Sequence, residues 1–261
     1  MLGEPIARGR TAEIFALPRR RVLKLYLPGV DPLVVANERT AQRWAQRQGL
    51  PVPRTGMPKS IDGRCGFVME RVDGTDGMTR ILRNLEGFTD EAVKLAELQV
   101  LVNHCSGSGL TDRRVRLRRR IEQCPRLREH EKQTLAQVLR RLPQGDRLLH
   151  GDFHPANVMW TSSGPVIIDW VDACRGVPEA DVARSLVLFG APLIGARTTS
   201  DPREAFTQVY LAQYQKLMPA PLNDLADWHL VTAAARLAEI AAQDDPALEE
   251  QVRRALADKI A

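Results

Sequence analysis

The sequence predicts an α+β protein: a small antiparallel-sheet region with one helix over residues 1–72, then a larger, mainly helical region over 73–261. Three observations carry this. Short apolar runs punctuated by Gly and Pro fill the first part. Apolar residues at helical spacing dominate the second. The chain of 261 residues is long enough for one large domain or two lobes.

The first strands are predicted at Ala12 to Leu17 and Arg20 to Tyr26, joined by a Pro18-Arg19 turn, with Gly9 before them and Pro28-Gly29 after. Asp31 to Gln48 follows as a helix: Asp31 can cap it, Pro32 suits its first turn and Gly49 ends it. Pro51, Pro53 and Gly56 form a connector. Cys65 to Arg71 is a further buried strand, stopped by Asp73-Gly74. Beyond it, Asp90 to Cys105 places Val93, Leu95, Ala96, Leu98, Leu101 and Val102 on one wide face. Asp112 to Gln123 and Arg128 to Arg141 are the next helices, separated by Pro125. Asn157 to Trp160 and Pro165 to Asp169 form a hairpin around Thr161-Ser162-Ser163-Gly164. Helices resume over Glu179 to Leu188, Pro202 to Leu217, Leu222 to Ala242 and Pro246 to Ile260.

Composition excludes several classes. Apolar residues make up 44% and charged residues 26%, against both a disordered tail and a membrane bundle. The longest apolar stretch, Ser185 to Ala196, is short and broken by Gly190, Pro192 and Gly195, and the start lacks a signal-peptide core, so a cytoplasmic location without membrane attachment is expected. Cys65, Cys105, Cys124 and Cys174 form no C-x-x-C pair, which argues against a disulfide framework or a metal cluster. The net charge is +5, split between +9 over residues 1–200 and −4 over 201–261. Arg113 to Arg120 holds six arginines in eight residues, but lacks interleaved aromatics for base stacking. Val115, Leu117 and Ile121 make it an amphipathic helix with a solvated face, so nucleic acid is a disfavoured partner.

The chemistry concentrates in Leu148 to Trp170. Asp152 lies between an apolar strand and a proline, Asn157 begins the first hairpin strand and Asp169 ends the second. Strand ends joined by a hairpin lie close together, so Asn157 and Asp169 can offer oxygen ligands to one hard cation such as Mg²⁺. Asp152 would stand beside that site as a proton acceptor.

His150-Gly151-Asp152, four residues and Asn157 resemble the catalytic loop of the aminoglycoside phosphotransferase and choline kinase-like family, whose members share the protein-kinase fold. Ile167-Ile168-Asp169-Trp170 resembles that family's metal motif, and Ala180-Asp181-Val182-Ala183-Arg184 the helix start after it. The resemblance implies a two-lobed kinase-like fold with Asp152 as base and Asn157 and Asp169 as metal ligands. Lys24 would hold the ATP phosphates, and Glu38 is its expected partner, with Glu13 as competitor. The phosphate loop would be Ala7 to Ile14, where Gly9, Arg10 and Thr11 (with Arg8) are the candidates and a plain β-turn is the alternative. The adenine would lie where the lobes join, on the Glu70 carbonyl and Val72 amide with Met69 behind it. Through the same resemblance, Asp181 steadies the catalytic loop and His150 orients it; His154 bonds the loop or reaches substrate.

The implied activity is ATP- and Mg²⁺-dependent transfer to a hydroxyl of a small molecule, with GTP an alternative to ATP. Eleven residues separate Asp169 from Asp181, too few for a peptide-docking activation segment. The acids Glu204, Asp224, Asp227, Glu239, Asp244, Asp245, Glu249 and Glu250 suit a cationic acceptor such as an aminoglycoside, amino sugar or choline-like amine, or simply form a solvated face. Asp172, Glu179 and Trp228 are further candidates for substrate contact. A nucleotide-binding pseudokinase scaffold is the rival reading, against which the intact Lys24, Asp152, Asn157 and Asp169 argue. The sequence carries no sign of oligomeric state.

Overall fold

The computed structural model describes residues 2–84, 87–190, 202–218, 220–241 and 245–260. It divides into two compact units: residues 1–83 with 155–173, and 84–154 with 174–261. The division differs from the boundary expected at 72/73 in a specific way. The hairpin at 158–167 belongs to the first unit, because its first strand pairs with Thr75–Asp76.

The first unit is built on a five-stranded antiparallel sheet in the order β1-β2-β3-β5-β4. Its strands are β1 (Ala7–Arg8), β2 (Ala12–Leu17), β3 (Arg21–Tyr26), β4 (Thr55–Ile61) and β5 (Arg64–Glu70). Strand β4 falls where a connector was expected. Gly56 and Pro58 hid it, and the Thr55/Pro58 register shift shows how an edge strand accommodates a proline. Helix α1 (Pro32–Arg47) begins as expected, with the Asp31 carboxylate accepting the Leu33 N–H at 2.8 Å. Alternation on the strands sends Leu23 and Leu25 to one face with Phe15 and Val68, and Tyr26 to the other with Ala12, Phe67 and Val35 of α1. Each fully buried apolar side chain of this kind contributes about 1.5–3 kcal/mol. Short β6 (Thr75–Asp76), α2 (Gly77–Arg83) and the hairpin β8 (Val158–Thr161) and β9 (Gly164–Ile167) complete the unit.

The second unit is mainly helical: α3 (Phe88–His104), α4 (Arg113–Gln123), α5 (Glu129–Arg141), α6 (Pro178–Leu188), α7 (Pro202–Leu217), α8 (Leu225–Arg236) and α9 (Pro246–Ile260). Its core joins Leu117, Ile121, Leu135, Ala183, Val231 and Val252 from five of these helices. A two-stranded ribbon pairs β7 (Arg147–Leu149) with β10 (Cys174–Gly176). Val115 departs from the expected apolar stripe of α4: it is 59% exposed, whereas Arg113 is buried in its place. Asp244, and Gly195 and Ala196 of the broken apolar stretch, lie outside the described residues. Among the described residues no helix is long and apolar enough to cross a membrane.

Candidate active site

The first unit holds a buried cation between two carboxylates. Lys24 is central in β3, and strand alternation points it to the α1 side of the sheet. Val35, Glu38, Ala41, Gln42 and Ala45 form the buried face of α1, so Glu38 lies one turn after the apolar contact at Val35. Lys24 Nζ donates to Glu38 Oε1 at 2.7 Å and to Asp169 Oδ1 at 2.9 Å. Glu13, the competing partner, lies instead 2.7 Å from Arg64 Nη2. Gly66 on β5 makes room for this arrangement, since a Cβ there would run into the Lys24 carbonyl oxygen.

Burial alone would lower the Lys24 pKa, but Glu38 and Asp169 together outweigh it and hold the ammonium well above its ordinary value. Burial raises the Glu38 carboxyl, and the Lys24 charge opposes that rise. Asp169 differs from Glu38 in access: its side chain is 41% exposed against 1%. It follows β9 by two residues and adopts φ 63°, a left-handed conformation unfavourable for a β-substituted residue. The Ile168 N–H donates to the Asn157 carbonyl at 3.0 Å, which ties the chain just before Asp169 to the Asn157 backbone. Asn157 itself closes a 3-10 turn, Pro155–Asn157, rather than opening β8.

A second charge cluster surrounds Asp152 in the other unit. The loop after β7 carries Gly151 at φ 77°. Three residues on one face of α6 grip it. Asp181 accepts the Gly151 N–H at 2.8 Å and the His150 N–H at 3.2 Å. Arg184 Nε donates to the Gly151 carbonyl at 3.1 Å, and Ser185 Oγ to the Phe153 carbonyl at 2.8 Å. Spacing of i, i+3 and i+4 puts all three on the same side of the helix. Asn103 on α3 adds donors to the Leu148 carbonyl and to Asp181, both at 3.0 Å. Buried His150 accepts the Asp152 N–H at Nδ1, 3.3 Å away.

The Asp152 carboxylate is ionised. Burial would raise its pKa, but His154 and Arg184 bring it far below the usual carboxylate range. His154 Nε2 lies 3.6 Å from Oδ2, and Arg184 Nη2 3.0 Å from Oδ1. The same Nη2 reaches Glu239 Oε2 at 2.9 Å. Arg120 and Arg236 also pair with Glu239, at 2.7 and 2.8 Å. Glu239 is consequently depressed to about 2, because these guanidinium groups outweigh its burial.

Several expected contacts read differently in the structure. Trp228 is 1% exposed inside the helical core, so it offers no surface to a substrate. Four of the eight acids of the C-terminal segment are spent on cations: Asp227 on Lys259, Glu239 on three arginines, Glu249 on Arg126 and Arg253, Glu250 on Arg254. Glu179 and Asp224 have no ion-pair partner among the described residues, and burial first, then the Asp224 charge, raises the Glu179 carboxyl. Asp172 is half-buried three residues after Asp169. The Arg113–Arg120 cluster is partly consumed internally: Arg113 is buried, Arg114 donates to the Leu142 carbonyl and Arg120 pairs with Glu239. At the expected phosphate loop, the Gly9 N–H donates to the Ala12 carbonyl at 2.8 Å across a tight hairpin bend whose tip exposes Arg10 and Thr11. Met69 packs against the Tyr26–Phe67 cluster, the Glu70 N–H donates to the Arg54 carbonyl, and Val72 lies half-buried just past β5.

Comparison with known proteins is consistent with these features. The model of the phosphotransferase enzyme family (APH) matches residues 3–223. The chain belongs to this phosphotransferase family. No curated protein sequence is significantly similar. Among solved structures, a thermostable mutant of aminoglycoside phosphotransferase APH(4)-Ia, in ternary complex with AMP-PNP and hygromycin B, is 14% identical with a TM-score of 0.67, covering 97% of this chain and 92% of that one. Amicoumacin kinase hAmiN in complex with AMP-PNP, Ca²⁺ and Ami is 14% identical, TM-score 0.65, covering 97% and 87%. The GDP and kanamycin complex of APH(2″)-IIIa is 17% identical, TM-score 0.61, covering 98% and 92%. At these identities the likeness shows the fold, the α+β protein-kinase-like fold of small-molecule phosphotransferases.

Proposed function

We propose that the protein moves the γ-phosphoryl group of ATP, with Mg²⁺, to a hydroxyl of a small molecule. The observation that carries this reading is the ammonium of Lys24, held charged between buried Glu38 and the half-exposed Asp169. A cation so fixed is suited to the oxygens of a nucleotide polyphosphate. GTP is the second donor to compare, because the expected purine contacts are backbone groups at Glu70 and Val72.

Asp169 and Asn157 carry hard oxygen donors on segments joined by a backbone hydrogen bond, and Asp169 is accessible, so these residue types suit Mg²⁺. When bound there, the ion supplies charge neutralisation at the phosphate oxygens. Lys24 orients the nucleotide phosphates. Ionised Asp152 accepts a hydrogen bond from the acceptor hydroxyl and fixes its attacking oxygen. As that oxygen bonds to the γ-phosphorus, the bridging P–O bond to the β-phosphate breaks and the nucleoside diphosphate leaves with the electron pair. The hydroxyl proton passes to Asp152. So depressed a carboxylate is a weak base, which suits a proton that moves late, after charge has developed in a loose transition state.

Support for a cationic acceptor comes from Glu179 and Asp224, two acids without an ion-pair partner among the described residues that lie near enough for the Asp224 charge to raise the Glu179 carboxyl. Hygromycin B and kanamycin, bound in two solved structures of the same fold, point the same way. The test is phosphate transfer from γ-labelled ATP and GTP, with Mg²⁺ or with EDTA, to aminoglycosides, amino sugars, choline-like amines, amino alcohols and neutral sugars. Mg²⁺-dependent transfer to one class is expected. Nucleotide binding without transfer to any of them would favour the scaffold reading.

A further inference from the structure

Arg184 is a buried ionic group whose surroundings call for an explanation. It is 1% exposed on α6, among Ala180, Val182, Ala183, Leu186 and Val187, which are all buried. Removing a guanidinium from water is costly, and an aliphatic residue would fill a helix interface with less penalty. Two carboxylates compensate the charge here, and one of them is Asp152.

The geometry is directional. Nε takes the Gly151 carbonyl and Nη2 takes Asp152 Oδ1, so one planar fork holds the peptide before Asp152 and its side chain together. That fixes the side-chain torsions of Asp152 relative to its backbone. It also distinguishes the two oxygens: Oδ1 is tied to Arg184, while Oδ2 lies on the His154 side. Nη2 carries two hydrogens, and the second goes to Glu239 Oε2. Glu239 is anchored in turn by Arg120 of α4 and Arg236 of α8. Three helices therefore converge on one carboxylate that holds the arginine in place.

We infer that Arg184, clamped by Glu239, is a positioning residue for phosphoryl transfer: it sets the orientation of the Asp152 carboxylate and directs Oδ2 to the acceptor hydroxyl. The inference rests on the assignment of Asp152 as the proton acceptor. A lysine would keep the charge but not the fork, and a methionine would keep the packing but neither.

The experiment compares the wild-type chain with Arg184→Met, Arg184→Lys, Glu239→Gln and Asp152→Asn. Each is assayed for kcat and nucleotide KM, with Mg-ATP as donor and kanamycin or water as acceptor, and each is checked by thermal melting. A crystal structure of Arg184→Met is solved alongside. The expected result is a fall in kcat of about 10²-fold for Arg184→Met, about tenfold for Arg184→Lys and a few-fold for Glu239→Gln, with nucleotide KM unchanged throughout. In the crystal, the Asp152 carboxylate leaves its wild-type rotamer. An inactive Asp152→Asn beside an Arg184→Met enzyme of wild-type kcat would overturn the inference and leave the role of Asp152 standing. An active Asp152→Asn would overturn the assignment beneath it. Should Arg184→Met fail to fold, Arg184→Lys and Glu239→Gln decide: wild-type kcat in both would overturn the clamp, and the graded loss would support it. An unmoved Asp152 carboxylate in any Arg184 variant would also refute it.

Discussion

Each unit of the molecule contains a buried cation between two carboxylates, and the two clusters differ in a way that, under the proposed function, suits one to binding and the other to transfer. In the first, Lys24 lies between Glu38 and Asp169, and Asp169 is 41% exposed. In the second, Arg184 lies between Asp152 and Glu239, both carboxylates are 13% exposed, and further arginines back the outer one. Lysine presents a point charge with three donors that can be shared with an incoming anion. Arginine presents a planar fork already satisfied by protein oxygens. The first cluster thus has capacity left for a ligand, whereas the second spends its capacity on holding one carboxylate still.

The comparison breaks most sharply at Asp152, the proposed proton acceptor. Asp152→Asn should lower turnover by about 10³-fold, equivalent to about 4 kcal/mol of transition-state stabilisation, in a steady-state transfer assay. Turnover within tenfold of wild type would remove Asp152 from the chemistry.

The next effect falls on the first cluster. Lys24→Met leaves Glu38 buried and unpaired, so it should cost about 3–5 kcal/mol of stability in denaturant unfolding. A Lys24→Met, Glu38→Leu double variant should recover much of that stability without recovering nucleotide affinity. If affinity returns with stability, Lys24 serves the fold and not the ligand.

Glu239 offers a pH test of the second cluster. Its folded pKa of about 2 is below its ordinary 4.5, so its contribution is fully present above about pH 4.5 and is lost as pH falls toward 2. That loss amounts to about 3 kcal/mol. Melting temperatures of Glu239→Gln should therefore show a flatter acid limb than wild type over this window. Asp152 and Asp76, also depressed, contribute to the slope that remains.

The smallest effects come from two glycines. Gly66→Ala forces a Cβ against the Lys24 backbone and should destabilise by about 1–3 kcal/mol. Gly9→Ala meets only the Ala12 carbonyl at 3.4 Å, with no positive φ, and should leave stability and nucleotide KM nearly unchanged. A large loss of nucleotide affinity in Gly9→Ala would restore a close phosphate approach at this turn.

The two clusters also differ in how far they could be read from the sequence. Lys24 stands out because a lysine inside an apolar strand is unusual, whereas Glu38 was named as its partner only through the family resemblance, with Glu13 left as competitor. Asp169 was placed by its hairpin, although its left-handed backbone lies beyond any periodicity. The second cluster was half visible. Asp152 and Asp181 sit in recognisable spacings, but Arg184 was read only as part of a helix start and Glu239 only as one acid among eight. Their meeting joins positions 55 residues apart, which local pattern does not encode. The available signal was the polar trio at 181, 184 and 185 on an otherwise apolar helix. Trp228 shows the opposite failure: a ring suited to stacking is also suited to a core, and burial decides between them.

The most direct test of this division is calorimetric titration of Mg-ATP into the wild type, Asp152→Asn and Lys24→Met, each confirmed folded. Asp152→Asn should bind within about threefold of wild type, and Lys24→Met at least about tenfold more weakly, as expected for loss of a hydrogen bond from a charged donor. The reverse order, with Asp152→Asn losing the nucleotide and Lys24→Met keeping it, would contradict the assignment of binding to the first cluster and transfer to the second.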